Sequence, residues 1–136
     1  MVDYKLEVVV LPVADVDRSK AFYEQAGFHA DVDTQPNENF RIVQLTPPGS
    51  ACSIIVGTGL TTATPGSAQA TTLVVGDIEA ARAELLERGI DVSAVFHFGP
   101  EGQEPGLHPE REDYGSFVSF NDPDDNSWLV QERRSG

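Results

Sequence analysis

Two stretches of the chain share one pattern of apolar and polar positions. The first runs from Leu6 to Phe28 (LEVVVLPVADVDRSKAFYEQAGF), the second from Ala70 to Ile90 (ATTLVVGDIEAARAELLERGI). A shift of 62 residues lays Asp77 on Asp15; it also lays Val75 on Val13, Ile78 on Val16, Ala83 on Ala21, Gly89 on Gly27 and Ile90 on Phe28. Each stretch predicts an apolar β-strand, then an aspartate whose carboxylate accepts from the free N–H groups of a helix start. About three helical turns follow, and a glycine permits a left-handed exit. Apolar Val16, Phe22, Tyr23 and Ala26 in one helix, and Ile78, Ala81 and Leu85 in the other, mark one buried face on each. A supersecondary unit that occurs twice implies a pseudo-symmetric fold.

After each helix come short runs of strand-like residues. In the first half these are HADVD, Phe40–Thr46 and Ala51–Gly57, the last two separated by the turn Pro47-Pro48-Gly49. In the second half they are Val92–Phe98, Gly115–Phe120 and Asn126–Glu132, with DPDD turning between the last pair. Each half therefore reads β-α-β-β-β. The expected architecture is α+β: two βαβββ repeats forming a cupped mixed sheet, with the helices on its convex face. A single domain over residues 1–136 is expected, with repeat one at 5–57, a Thr/Gly/Ala/Pro/Ser-rich linker at 58–69 and repeat two at 70–133. The segment from Gly99 to Asp113 reads as a loop able to lie over the cup as a lid.

The bulk composition narrows the function classes. A chain of 136 residues suits one core, and 40% hydrophobic with 23% charged residues is an ordinary balance for a folded protein. No apolar run approaches the roughly 20 residues that cross a bilayer, and the N-terminus lacks the basic head of a secretory signal. A cytoplasmic protein is expected. Cys52 is the one cysteine and makes neither an intrachain disulfide nor a metal cluster by itself. The net charge of −13 disfavours nucleic acid and anionic membrane as partners and favours cations.

Three segments in order, LPVADVDRSKAFYEQAGF, VVGDIEAARAELLERGIDV and FNDPDDNSWLVQE, resemble the strand–helix pieces and the last hairpin of the glyoxalase/bleomycin-resistance/extradiol-dioxygenase superfamily, the vicinal oxygen chelate proteins. Asp125 stands where the family's DPDGN turn more often has glycine. The resemblance covers nearly the whole chain apart from the linker and the Gly99–Asp113 loop. It implies a glyoxalase-like fold. It also implies one of several activities, among them metal-dependent isomerases, lyases, dioxygenases and thiol transferases, and metal-free drug-binding proteins.

The family's metal enzymes hold a divalent ion with His, Glu or Gln from four strands. Carried onto this chain, those positions fall at Val8, Ala70 and Leu129, and at about Ile54. None carries a donor, so the expectation is no metal and no cofactor. Glu132 lies in the same strand as Leu129 but three residues on, which sends it to the opposite face; it reads as a solvated strand-end charge. His29 reads as a surface residue, His97 as structural and His108 as a solvent-exposed loop residue. Cys52, with no evident activating base, reads as packing rather than as a nucleophile.

Strand alternation from those positions gives the expected ligand-facing set: Val8, Val10, Cys52, Ile54, Thr72, Val74, Leu129 and Gln131. Phe40, Ile42, Gln44, Phe96, Phe98, Tyr114 and Ser116 are further wall candidates on strands whose parity the sequence leaves open. Val9, Leu11, Val13, Leu73, Val75, Trp128 and Val130 should face the helices. The expected function is a metal-independent small-molecule binding protein, sequestering an antibiotic or metabolite of cationic or aromatic character. The resemblance implies a homodimer. The alternatives are a metal-dependent lyase, isomerase or dioxygenase of the same superfamily, or a metal-free enzyme using His97, Tyr114 or a loop carboxylate.

Overall fold

The computed structural model describes residues 1–135, which divide into two compact units. One comprises Met1–Ala68 together with the turn Asp122–Asn126; the other comprises Gln69–Asn121 and the chain from Ser127 on. The first unit contains β1 (Val8–Val10), α1 (Val16–Gln25), β2 (His29–Asn37), β3 (Phe40–Thr46) and β4 (Ser53–Thr58). Its sheet has the order β1-β4-β3-β2, parallel only between β1 and β4. The second contains β5 (Thr71–Val75), α2 (Ile78–Glu87), β6 (Phe96–Gly99), β7 (Gly102–Pro105), β8 (Phe117–Asn121) and β9 (Ser127–Glu132). Its order is β5-β9-β8-β6-β7, parallel only between β5 and β9. No helix among the described residues is long and apolar enough to cross a membrane.

The repeated sequence signals make repeated local structure. Asp15 accepts a hydrogen bond from Arg18 N at 3.0 Å, and Asp77 accepts from Glu79 N and Ala80 N at 3.0 and 3.1 Å. Each helix ends on a left-handed glycine, Gly27 at φ 105° and Gly89 at φ 81°. Beyond it, Phe28 N donates to Tyr23 O at 2.9 Å and Ile90 N to Leu85 O at 3.0 Å, pairs that lie one repeat apart. These bonds close the carbonyls that a helix end leaves free.

The segment expected to be a lid loop contains a strand. Gly102, at φ 111°, turns the chain so that β7 pairs antiparallel with β6, setting His97 opposite Glu104 and Phe98 opposite Gln103. The sequence of β7, GQEP, has no β-branched or alternating apolar residues; only its pairing with β6 defines it. The strand expected over Val92–Phe98 is regular from Phe96 onward.

In the first unit, Leu11, Tyr23, Phe28, Val43, Leu45, Ile54 and Val56 are buried where α1 packs on β3 and β4. The DPDDN turn supplies the polar centre of that core. The buried Asp122 carboxylate accepts from Tyr23 Oη at 2.7 Å, Asn126 Nδ2 at 2.9 Å, Asn126 N at 3.0 Å and Asp124 N at 2.9 Å. Asn126 Nδ2 also donates to Pro12 O at 2.9 Å, and Ala68 N donates to Asn126 Oδ1 at 3.0 Å. Asp124 receives Ala14 N and the Arg18 guanidinium, both at 3.2 Å. Gly66, at φ 86°, lies so near the Asp124 carbonyl oxygen that any Cβ there would collide with it.

In the second unit, Trp128, Val130, Val118, Phe120 and Ile78 are buried where α2 packs on β8 and β9. Glu132 departs from expectation. It does lie on the face opposite Leu129, but it is 0% exposed rather than solvated. Its carboxylate accepts from Ile78 N at 2.9 Å, at the start of α2, and from Arg111 Nε and Nη2 at 3.0 and 2.9 Å. A buried carboxylate is stable only with such partners, and Arg111 comes from a distant loop that strand pattern does not locate. The Arg111 guanidinium holds the Glu132 carboxyl below its ordinary value of 4.5, against the opposing effect of burial, and the Ile78 N–H adds to the lowering.

Two outcomes follow from these anchors. Asp122→Ala removes four buried or part-buried hydrogen bonds, from Tyr23 Oη, Asn126 Nδ2 and the Asn126 and Asp124 N–H groups, and should cost about 3 kcal/mol in urea unfolding, against about 1 kcal/mol for Tyr23→Phe. Because its pKa is lowered in the fold, ionised Glu132 stabilises fully above pH 4.5, and that contribution is lost as the pH falls through the folded value. Glu132→Ala should cost about 1–3 kcal/mol at pH 7, since it leaves the buried Ile78 N–H without its acceptor, while Arg111 keeps Asp77 and Glu79 at 3.7 and 3.6 Å. The gap between wild type and variant should narrow on acidification, as followed by thermal unfolding from pH 7 to pH 3.

Candidate functional site

Each sheet carries its helix on one face, and the register of the strands assigns every side chain to the helix-covered or the open face. In the first unit the open face holds Val8 and Val10 from β1, Ser53 and Ile55 from β4, and Phe40, Ile42, Gln44 and Thr46 from β3. Val32 of β2 lies opposite Gln44. The structure thus brings Val8, Val10, Phe40, Ile42 and Gln44 together on one surface. It places Ile54 among the core residues, paired with Val9 and Leu45, and Cys52 precedes β4 with the same parity. The placement of Ile54 and Cys52 on the open face is therefore corrected by one residue: Ser53 and Ile55 lie there instead. The physical reason is that ACSIIVG is apolar on both sides, so its own pattern gives no parity. Pairing supplies it: Ile55 lies opposite Val10, as Leu129 lies opposite Thr72 in the second unit.

That first open face has a polar end. Ser53 Oγ is 2.6 Å from Thr46 Oγ1, and Gln44 Nε2 lies 3.4 Å from Ser53 Oγ. Thr46 donates to the Asp31 carboxylate, which His29 Nδ1 also approaches at 2.8 Å. The Thr46 hydroxyl and then the His29 ring hold Asp31 below the usual carboxylate range.

In the second unit the open face holds Thr72 and Val74 from β5, Ser127, Leu129 and Gln131 from β9, Phe117 and Ser119 from β8, and Phe96 and Phe98 from β6. Three phenylalanines cluster there. Phe96 stacks on Phe117 at 5.7 Å and 17°, and Phe98 meets both edge-on, at 5.7 and 5.3 Å. Such offset and edge-on pairs are the favoured aromatic arrangements. Phe98 and Val74 stay 55% and 58% exposed. The structure sets Thr72, Val74, Phe96, Phe98, Leu129 and Gln131 on one face, and Phe117, which lies opposite Gln131, is on it too.

Ser116 and Tyr114 do not join them. Ser116 is buried, its Oγ accepting from His108 N at 3.0 Å and its carbonyl from Glu132 N, on the Glu132 side of the sheet. Tyr114 precedes β8 in a left-handed conformation, φ 65°, with its ring under the Arg133 guanidinium at 5.8 Å. In FVSFN, apolar Val118 and Phe120 alternate with polar Ser119 and Asn121, a pattern whose strand begins at Phe117 and not at Tyr114.

The histidines divide as well. His29 is exposed. His97 is 7% exposed on the helix side, its Nδ1 at 2.8 Å from Gly106 O and its Nε2 at 3.1 Å from Glu104. His108 is half-buried rather than solvent-exposed, and its Nδ1 accepts from Glu110 N at 3.1 Å. Among the described residues no three His, Cys, Asp or Glu side chains are grouped to hold a metal ion. The residues that the resemblance set at the family's ligand positions, Val8, Ala70, Leu129 and about Ile54, are all hydrocarbon, as is Ile55 on the open face, and do not fit a divalent metal.

Comparisons agree with this architecture. An antibiotic binding protein, TnmS3 of Streptomyces sp. CB03234, is 30% identical with a TM-score of 0.74, over 97% of this chain and 98% of that one. A glyoxalase/bleomycin resistance protein from the same organism is 30% identical with a TM-score of 0.70, over 94% and 100%. A superfamily member from Sphaerobacter thermophilus is 25% identical with a TM-score of 0.72, over 96% and 98%. Among curated proteins, none matches the chain significantly. The model of the Glyoxalase/Bleomycin resistance protein/Dioxygenase superfamily matches residues 5–130, and with that match, the α+β fold and the two repeated units in hand, the chain belongs to this superfamily.

Proposed function

We propose that this chain is a metal-independent small-molecule binding protein that sequesters an antibiotic or a related metabolite of aromatic, cationic character. The observation that carries the reading is the open face of the second unit, where Phe96, Phe98 and Phe117 form an aromatic surface beside Leu129, Val74 and Gln131. Apolar surface with a few placed polar groups is what a small-molecule site requires. Leu129 occupies a position where the superfamily's enzymes place a metal ligand, so the same surface that gains hydrocarbon loses the means of Lewis-acid chemistry. The net charge of −13 favours a cationic ligand, and cations are attracted to aromatic faces. The description of TnmS3 as an antibiotic binding protein supports the same reading. A cytoplasmic homodimer is part of the proposal.

The test uses proflavine, a planar aromatic cation, titrated by its own fluorescence. Wild type should bind it, and Leu129→Arg should weaken binding by roughly tenfold or more, about 1.4 kcal/mol, while leaving the unfolding temperature nearly unchanged. Undiminished binding in Leu129→Arg would show that this face does not meet the ligand. Elemental analysis of protein purified without chelator should find no stoichiometric metal; one Ni, Zn, Fe or Mn per chain would favour the metalloenzyme reading instead.

A further inference from the structure

The hydrogen-bond chain on the first unit's open face has a fixed direction, and the direction is set at one end. An ionised carboxylate only accepts, so the Thr46 hydroxyl must donate its single proton to Asp31. Thr46 Oγ1 can then only accept from its other neighbour, which makes Ser53 the donor across their 2.6 Å contact. With its proton committed, Ser53 Oγ only accepts in turn, and Gln44 must offer it an N–H, the orientation seen at 3.4 Å. Gln44 Oε1 is left without a partner among the described residues. Away from Ser53 and Thr46, its neighbours on the open face are apolar: Ile42 along the strand, Val32 opposite on β2 and Ile55 opposite on β4. Gln44 is part-buried, and a carbonyl beside such apolar side chains gains more from a donor than a carbonyl fully in water.

The geometry points to Gln44 as a specificity-determining residue: the relay from Asp31 through Thr46 and Ser53 locks its amide so that the carbonyl oxygen faces the ligand and selects a molecule presenting a hydroxyl, amine or ammonium donor. This rests on the reading that the open sheet faces bind a small molecule. Gln44 sets the preference, while Asp31, Thr46 and Ser53 act through it as positioning residues. A free glutamine amide would turn over to satisfy donors and acceptors alike; the relay removes that choice.

Two neutral probes of similar size separate the cases. 2-Naphthol can donate a hydrogen bond, and 2-methoxynaphthalene can only accept. Wild type should bind 2-naphthol roughly tenfold more tightly than 2-methoxynaphthalene, the ratio expected for one hydrogen bond of ordinary strength. Gln44→Leu should bring the ratio to about one without weakening the methoxy compound. Thr46→Val and Asp31→Asn, the latter near-isosteric and at the exposed end of the relay, should lower the ratio several-fold with Gln44 intact. A ratio that persists in Gln44→Leu overturns the inference. So does a ratio lost in Gln44→Leu but unchanged in both relay variants, because the amide would then need no locking. Should wild type bind proflavine but neither naphthalene, the inference fails while the binding function stands. If it binds none of the three, both fail.

Discussion

Each sheet is covered by a helix on one face only, and strand alternation does the rest. Every second residue of β3, β4, β8 and β9 goes into a core beneath α1 or α2, so the intervening residues are committed to the open face whatever their chemistry. Moving β9 by one residue would carry Trp128 and Val130 out of the core, and moving β8 would carry out Val118 and Phe120, a loss of about 1.5–3 kcal/mol for each large side chain. Core burial therefore fixes the register, and the register fixes which groups a ligand meets.

Two buried carboxylates hold these registers at their polar ends. Asp122 gathers a tyrosine hydroxyl, an asparagine amide and two backbone N–H groups in the first unit. Glu132 gathers a helix N-terminal N–H and an arginine fork in the second. Both use one carboxylate to accept from several donors that come from separate parts of the chain. The repeat does not extend to them: their partners differ, and each unit has solved the same problem with its own residues.

The two open faces differ in chemistry. That of the second unit is aromatic and aliphatic, with Phe96 nearly buried beneath Phe98 and Phe117. That of the first is aliphatic with a directed polar end, running from Gln44 to Asp31. The open faces present hydrocarbon at Val8, Ile55 and Leu129, and fold membership alone does not fix what such a surface does.

The sequence by itself determined both helices, their aspartate caps and glycine exits, and the pairing of one βα unit with a second. These depend on contacts within a few residues, which the chain writes locally and writes twice. The faces of β1, β5 and β9 came instead from the resemblance, which placed Val8, Ala70 and Leu129 on one side. Tertiary structure decided the rest. The parity of β4 turned on its pairing with β1 and β3, since Ile54 and Ile55 are alike in hydropathy and only the core distinguishes them. The strand β7 exists because β6 offers it hydrogen-bonding partners. The burial of Glu132 required Arg111, and the orientation of Gln44 required Asp31, side chains brought from 21 and 13 positions away. No local pattern encodes such distances; they are set when the sheets close and every buried polar group must find its partner.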